Sequence, residues 1–243
     1  MQTLSMLTDT QKRFYDENGF LVLRGVLSDA ELAELREAAD RLHDECHRVS
    51  KGERVAVIQD IICRDEGFLK AARHSVFLAA IADLIGPDLE LQSGTLNWKP
   101  PASMKSEVGW HQKFPGVPHS HRDWLVGMFP LDDATPETGC MRVIAGSHRR
   151  GPVEHWQEGR FKGFCQNPDD YTREGDLIDV VVRAGDVTLH HCCLIHAAYP
   201  NRSTSPHRSL VFTVRPTDCI QLGGRVYQSS GLLLQGRDNT PAR

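Results

Sequence analysis

The stretch Val187-Thr188-Leu189-His190-His191-Cys192-Cys193-Leu194-Ile195-His196-Ala197, entered through Gly185-Asp186, is short, apolar and rich in residues that favour extended backbone. Bounded by a Gly-Asp turn, it reads as a strand rather than a piece of helix. Runs of the same texture recur at 89–98, 124–131, 140–144, 177–182 and 209–214, with Gly, Pro, Asp and Asn between them. Short strands at regular spacing point to a sandwich or a barrel, since alternating β-α units would need helical periodicity in each gap. From Leu89 onward the chain reads as mainly β.

Upstream of Leu89 the pattern is helical. Thr8 is placed to cap a helix that ends at Gly19 with Phe14 on its inner face, and Phe20-Leu21-Val22-Leu23 reads as a short strand. Ser28 and Glu31 form a capping box that opens a helix with Leu32, Leu35, Ala39 and Leu42 on one stripe. Residues 55–62 read as a strand, and two helical stretches follow, the second over 75–85 and closed by Gly86. The expected plan is a single domain with a helix-rich buttress at 1–88, a barrel core at 89–216 and a C-terminal segment at 217–243 that turns polar from Gln235. Between Gly151 and Gly175 a polar stretch with aromatics but no periodicity suits a loop over one mouth of the barrel. Its Trp156, Phe161, Phe164 and Tyr171, with Trp98, Trp110, Phe114 and Trp124 on the entrance side, would suit an apolar or ring-bearing substrate, although most such rings serve as core.

Composition narrows the function. Over 243 residues the formal net charge is −4 and the pI is near 6.3, which provides no basic stripe for nucleic acid. No apolar run approaches the roughly 18 residues of a membrane span, and the N-terminus lacks a secretory pattern, so a cytoplasmic location is expected. The seven cysteines contain no C-x-x-C pair, which argues against a disulfide framework or a zinc finger; Cys192 and Cys193 read as strand core. Neither G-x-S-x-G nor a phosphate-binding G-x-x-x-x-G-K-S/T occurs. Chemistry on a small molecule is the expectation that is left.

The histidines carry that expectation. Neighbouring residues of a strand point to opposite faces, so only part of the set His190, His191 and His196 faces one pocket. A further histidine opens His111-Gln112-Lys113, which follows Lys99-Pro100-Pro101 and precedes Phe114-Pro115.

The order of motifs resembles the phytanoyl-CoA dioxygenase family of non-haem iron, 2-oxoglutarate-dependent oxygenases. The resemblance runs from Phe14-Tyr15-Asp16-Glu17-Asn18-Gly19-Phe20 through Trp110-His111-Gln112, Leu131-Asp132-Asp133-Ala134-Thr135-Pro136-Glu137-Thr138-Gly139-Cys140 and Ile144-Ala145-Gly146-Ser147-His148-Arg149. It ends with Gly185-Asp186, Ile195-His196, Asn201 and Arg208. It implies a double-stranded β-helix, the jelly-roll or cupin-like barrel, with Fe(II) and 2-oxoglutarate as cofactors and oxidation of a C–H bond in a small organic substrate. By position, His111 and His196 match two metal ligands. Arg208 matches the arginine that grips the far carboxylate of 2-oxoglutarate, with Lys99 and Thr188 as weaker pocket candidates. In a strand Leu210 would share Arg208's side and wall the pocket, while Ser209 would face away. His148, Arg149, His190 and His191 are expected to support the site rather than ligate, and Asn201 to bond backbone in the turn after His196.

One position departs from the family pattern: where it has the carboxylate ligand, this chain has Lys113. An ammonium has no lone pair and, at about 4 Å from a dication, repels it by roughly 8 kcal/mol at an effective dielectric of about 20. Three readings follow. The chain is an oxygenase with an altered metal site; or it is an inactive homologue, serving as a binding module or as the partner of an active paralogue; or it is a metal-free enzyme with Lys113 as base or nucleophile. Self-association and pairing with a paralogue both stay open.

Overall fold

The computed structural model describes residues 6–49, 56–166, 168–171 and 176–239. Position 55, part of the expected loop at 167 and 172–175, and the tail at 240–243 lie outside these residues. In chain order the elements are α1 (Asp9–Asn18), β1 (Phe20–Leu23), α2 (Asp29–Val49), β2 (Val57–Gln59), α3 (Glu66–Ala72), α4 (Ser75–Ile85), β3 (Leu89–Lys99), β4 (Val108–His111) and β5 (Leu125–Pro130). They continue with β6 (Met141–Ile144), β7 (Trp156–Gln157), β8 (Arg160–Phe161), β9 (Leu177–Val180), β10 (Val187–His191), β11 (His196–Ala198), β12 (His207–Pro216) and β13 (Leu232–Gln235).

Local chemistry sets the first helices. Thr8 accepts from the Gln11 amide, and the Gln11 side chain accepts from the Thr8 amide, closing α1's N-terminus. Gly19, at φ 80°, ends it with its N–H on Tyr15 O. Phe14, expected inside, is 39% exposed and packs edge-on against Phe20, whereas Tyr15 is buried. Before α2 the expected capping box is present: the Ser28 N–H and hydroxyl donate to Glu31, and the Glu31 amide donates back to the Ser28 oxygen.

The strands form two main antiparallel sheets. The larger runs β1-β10-β5-β12-β3-β13, with β2 also on β3, and the smaller runs β4-β11-β6-β9. Strands from the expected buttress and C-terminal segment thus join the barrel's larger sheet. That sheet's outer face meets the helices: Leu35, Ala39, Phe68, Phe77 and Ile81 pack against Leu91, Phe129, Leu189, Leu210 and Phe212. Helix α4 lies so close to β5 that a Cβ at Gly127 would sit 2.2 Å from the Phe77 ring, so the contact requires glycine. The inner face meets the smaller sheet through Phe20, Met141, Val143, Val180 and Leu194. Period-two alternation thus assigns each strand residue either to the helix layer or to the space between the sheets.

Candidate active site

The run expected to be one strand over 187–197 is two. β10 lies in the larger sheet and β11 in the smaller, and the chain crosses between them at 192–195. The crossing is held by Leu194 N–H on His191 O, His191 N–H on Gly19 O and Ile195 N–H on the Ser147 hydroxyl. His190 and His196 therefore face one cavity from opposing sheets, with ring centroids 4.8 Å apart. His196 pairs in register with His111, and their rings are 4.1 Å apart.

Both of these rings are fixed in one tautomer. His111 Nδ1 lies 2.9 Å from Gly109 O and His196 Nδ1 lies 2.9 Å from Leu194 O. Only an N–H can satisfy a carbonyl, so the proton is on Nδ1 and each Nε2 keeps its lone pair. Burial, reinforced by the Lys113 charge, lowers the His111 pKa to about 4. Burial likewise holds His196 well below its ordinary value. The two rings are neutral donors at neutral pH.

Lys113 is aimed by its neighbour. Gln112 is buried, its Nε2 donates to Gly151 O and Cys193 O, and its Oε1 accepts from Val153 N–H. Its own amide donates to His155 Nε2. The amides of Lys113 and Phe114 both donate to Cys192 O. With Gln112 locked outward, His111 and Lys113 line the cavity. Burial lowers the Lys113 pKa, and the Lys113 charge in turn contributes to depressing His111, His190 and His196. Among the described residues no Asp or Glu lines the cavity.

The cavity measures about 120 Å³, room for several waters or a small organic molecule. Its middle is apolar, walled by Val126, Met128, Val180, Val182 and Val211. Several of its polar groups are unsatisfied: both ring nitrogens of His190, Thr188 Oγ1 and His207 Nε2 are buried without a hydrogen-bond partner. Lys99 Nζ also lines it and donates to Gly139 O and Tyr199 O; burial lowers its pKa to about 8. Lys99 and His207 are cross-strand partners on β3 and β12.

Arg208 is elsewhere. On β12 the residues His207, Ser209 and Val211 face the cavity, so Arg208 and Leu210 face the helices, the reverse of the expected phase. The Arg208 guanidinium grips Asp132 through Nε at 2.9 Å and Nη2 at 2.7 Å, and Asp40 of α2 through Nη1 at 2.6 Å. It cannot reach a ligand between the sheets. The expected entrance aromatics are likewise structural: Trp98 stacks on His43 of α2 at 3.8 Å, Trp124 is buried beside Phe114, and the Arg142 guanidinium covers Trp110. Trp156, Phe161 and Phe164 are exposed on the 151–166 segment, outside the cavity lining. His148 Nε2 donates to Asp16 O, and the Arg149 guanidinium donates to Glu17 O, so both tie the turn at Gly146 to α1. Asn201 bonds Lys99 O, Ser205 O and Ser203 as expected.

The phytanoyl-CoA dioxygenase family model matches residues 15–209. The chain belongs to that family. By membership it is an oxygenase-type protein. A probable alpha-ketoglutarate-dependent hypophosphite dioxygenase of Stutzerimonas stutzeri is 27% identical over 245 residues, covering 88% of this chain and 80% of the relative. The peroxisomal phytanoyl-CoA dioxygenase of Rattus norvegicus is 24% identical over 242 residues, covering 88% and 70%. Among solved structures, EctD from S. alaskensis with bound Fe superposes with a TM-score of 0.78 at 19% identity, over 100% of this chain and 88% of that one. The epimerase SnoN, in complex with Fe3+, alpha ketoglutarate and nogalamycin RO, does so with a TM-score of 0.74 at 21% identity, over 95% and 96%. These two likenesses establish the shared fold, including the barrel expected from the sequence.

The donor set here fits the family's iron only in part. His111 and His196 offer two neutral Nε2 atoms, as a divalent metal requires. Among the described lining residues no third carboxylate or imidazole donor completes the set, and the Lys113 side chain lines the same cavity. His190 does not complete a triad: among the described residues the only trio of His, Cys, Asp or Glu with ligand atoms within 4.8 Å of one another is His191-Cys192-Cys193, outside the cavity lining. As it stands, the set does not fit a facial triad. Sequence reasoning missed His207, His155 and the locking role of Gln112. The alternation of β12 could have found His207, but apolar residues on both of its faces leave the phase undecided until the helices are placed.

Proposed function

We propose that this oxygenase-family cavity has an altered centre, in which the Lys113 ammonium is the fixed positive charge and a small organic acid is the ligand. The observation that carries the reading is Lys113 in the cavity wall beside His111, His190 and His196, with no carboxylate in the lining among the described residues. A dication about 4 Å from that ammonium loses roughly 8 kcal/mol, close to six powers of ten in affinity, before any gain from two imidazoles. An anion gains from the same charge. Seven free cysteines support a reducing, cytoplasmic setting, and among the described residues no helix is long and apolar enough to cross a membrane.

The test is anaerobic titration with Fe(II) and 2-oxoglutarate, following the weak charge-transfer absorbance of the chelate and the metal content by elemental analysis. The wild type is expected to hold no stoichiometric iron, and Lys113→Asp to gain both iron and absorbance. Stoichiometric iron with chelate absorbance in the wild type overturns the altered centre.

A second reading keeps turnover, with His111 and His196 as metal ligands and a free anion as the third. It is favoured by the paired Nε2 lone pairs. When bound in such a centre, iron supplies the activation of dioxygen. The same titration separates the two readings.

A further inference from the structure

Outside the cavity lining, His191, Cys192 and Cys193 bring three ligand atoms within 4.8 Å of one another where the chain leaves the larger sheet. Adjacent side chains of a strand point to opposite faces, so neighbouring thiols converge only where the backbone stops being extended. That happens here: Leu194 N–H on His191 O, at 2.9 Å, closes a turn with Cys192 and Cys193 at its corners. Their sulfurs are 3.8 Å apart, and Cys192 Sγ is 3.8 Å from His191 Nδ1. Two sulfurs that each lie about 2.3 Å from a tetrahedral zinc(II) are themselves about 3.8 Å apart. The turn already holds the spacing that such an ion would impose.

The donor atoms are also in the state that a metal takes. Cys193 N–H donates to His191 Nδ1 at 3.0 Å, so that nitrogen carries a lone pair and the ring proton is on Nε2. The hydrogen bond from Cys192 pulls the Cys193 thiol below its ordinary value, and the thiolate is the form that ligates. Both cysteines are buried among Trp124, Val126 and Val211, where a thiolate without a cation is costly. Cys192 Sγ also has the Arg122 carbonyl at 3.1 Å. The Tyr15 hydroxyl is buried without a hydrogen-bond partner; burial, and then Cys192, push its pKa well up, which puts an unused donor within electrostatic reach of the thiols. His191 is half-buried and opens the trio to solvent on one side, where water can complete four-coordination.

We infer that His191 Nδ1 and the sulfurs of Cys192 and Cys193 bind one zinc(II) ion, apart from the cavity, as a clasp on the crossing between the two sheets. Binding releases to solvent the proton that remains on the sulfur pair, and the Cys193 N–H gives up Nδ1 to the metal. None of the three ligands lines the cavity, so the inference does not depend on the acid-binding reading. The clasp bears on the cavity through the backbone. Cys192 O receives the amides of Lys113 and Phe114, and Cys193 O receives the Gln112 side chain, so an ion at this turn stiffens the seat from which Lys113 projects.

The experiment takes the full-length protein, reduced and stripped with chelator, and adds cobalt(II) as a coloured substitute for zinc(II), both to the folded protein and during refolding from urea. A thiolate-to-cobalt charge-transfer band is expected to saturate at one equivalent and to vanish when zinc(II) is added. Cobalt held by imidazoles alone has no such band, so it is expected to survive in protein carrying His111→Ala and His196→Ala. On that background, zinc(II) affinity is read by competition with a chromophoric chelator. It is expected to fall at least about a hundredfold in Cys192→Ser and in Cys193→Ser, and at least about tenfold in His191→Phe, with circular dichroism confirming that each variant is folded. A reduced wild type that shows no thiolate band by either route overturns the inference, whether or not the variants fold. So does a band, or a zinc(II) affinity, that is unchanged in Cys193→Ser.

Discussion

Replacing Arg208 by alanine separates two roles for that side chain, a clasp within the fold and an anchor for a ligand. The guanidinium meets Asp132 with two parallel hydrogen bonds, at 2.9 and 2.7 Å, and the pair is largely enclosed, with side chains 12% and 20% exposed. Such a bidentate unit is worth about 2–3 kcal/mol. The third bond, to Asp40, reaches a carboxylate that is 53% exposed and is worth at most about 1 kcal/mol after screening. Asp132 keeps the Arg36 guanidinium at 3.8 Å, which limits the cost of stranding it. The expected loss is about 3 kcal/mol, a fall in Tm of roughly 6–12 °C for a chain of this size. Arg208→Lys retains the charge but not the planar fork, and about half of that loss is expected. Thermal melts followed by circular dichroism measure the stability, and calorimetry measures acid binding at a temperature where the variant is folded. Acid affinity is expected to be unchanged. A variant with the wild-type Tm and a tenfold loss of affinity would refute the clasp and restore Arg208 to the site.

Gln112→Leu keeps the volume but strands Gly151 O, Cys193 O and Val153 N–H; at about 1–3 kcal/mol for each buried group, a loss of at least about 3 kcal/mol is expected in urea unfolding. Acid affinity should weaken with it, because Lys113 loses the residue that aims it, and a variant of wild-type stability would sink this account. For pH, burial lowers both His119 and His207 to about 4. Their unfolded rings take up protons as the pH falls through about 6.5, while the folded rings stay neutral until about 4, so stability is complete above 6.5 and drains away between those values. The loss is up to about 3 kcal/mol per ring, read as a falling urea midpoint between pH 7 and 5; a flat midpoint would show that the rings are not held neutral.

Much of the fold was legible before any coordinates. Capping pairs at Thr8 and Ser28, the Gly86 stop and the period-two runs locate helices and strands because those signals act over three or four residues. Phe14 shows the limit: a ten-residue helix carries two adjacent aromatics, and only the body it docks on selects Tyr15 for burial. Trp98 and Trp124 were equally ambiguous, since a ring near a pocket in sequence packs on whichever side of the sheet its parity dictates.

By itself the sequence pointed to a mainly β barrel of an oxygenase family, and by resemblance it matched His111 and His196 to two donor positions and Lys113 to the position of a carboxylate. Those statements follow from residue type and order. Only the tertiary structure decided which faces of β10, β11 and β12 look inward. It broke the histidine run at 192–195, brought His190 opposite His196, turned Arg208 to Asp132 and left His207 in the cavity. The reason is parity: a one-residue difference in phase sends every side chain of a strand to the other face. The phase is set by helices and a second sheet that lie far away in the chain.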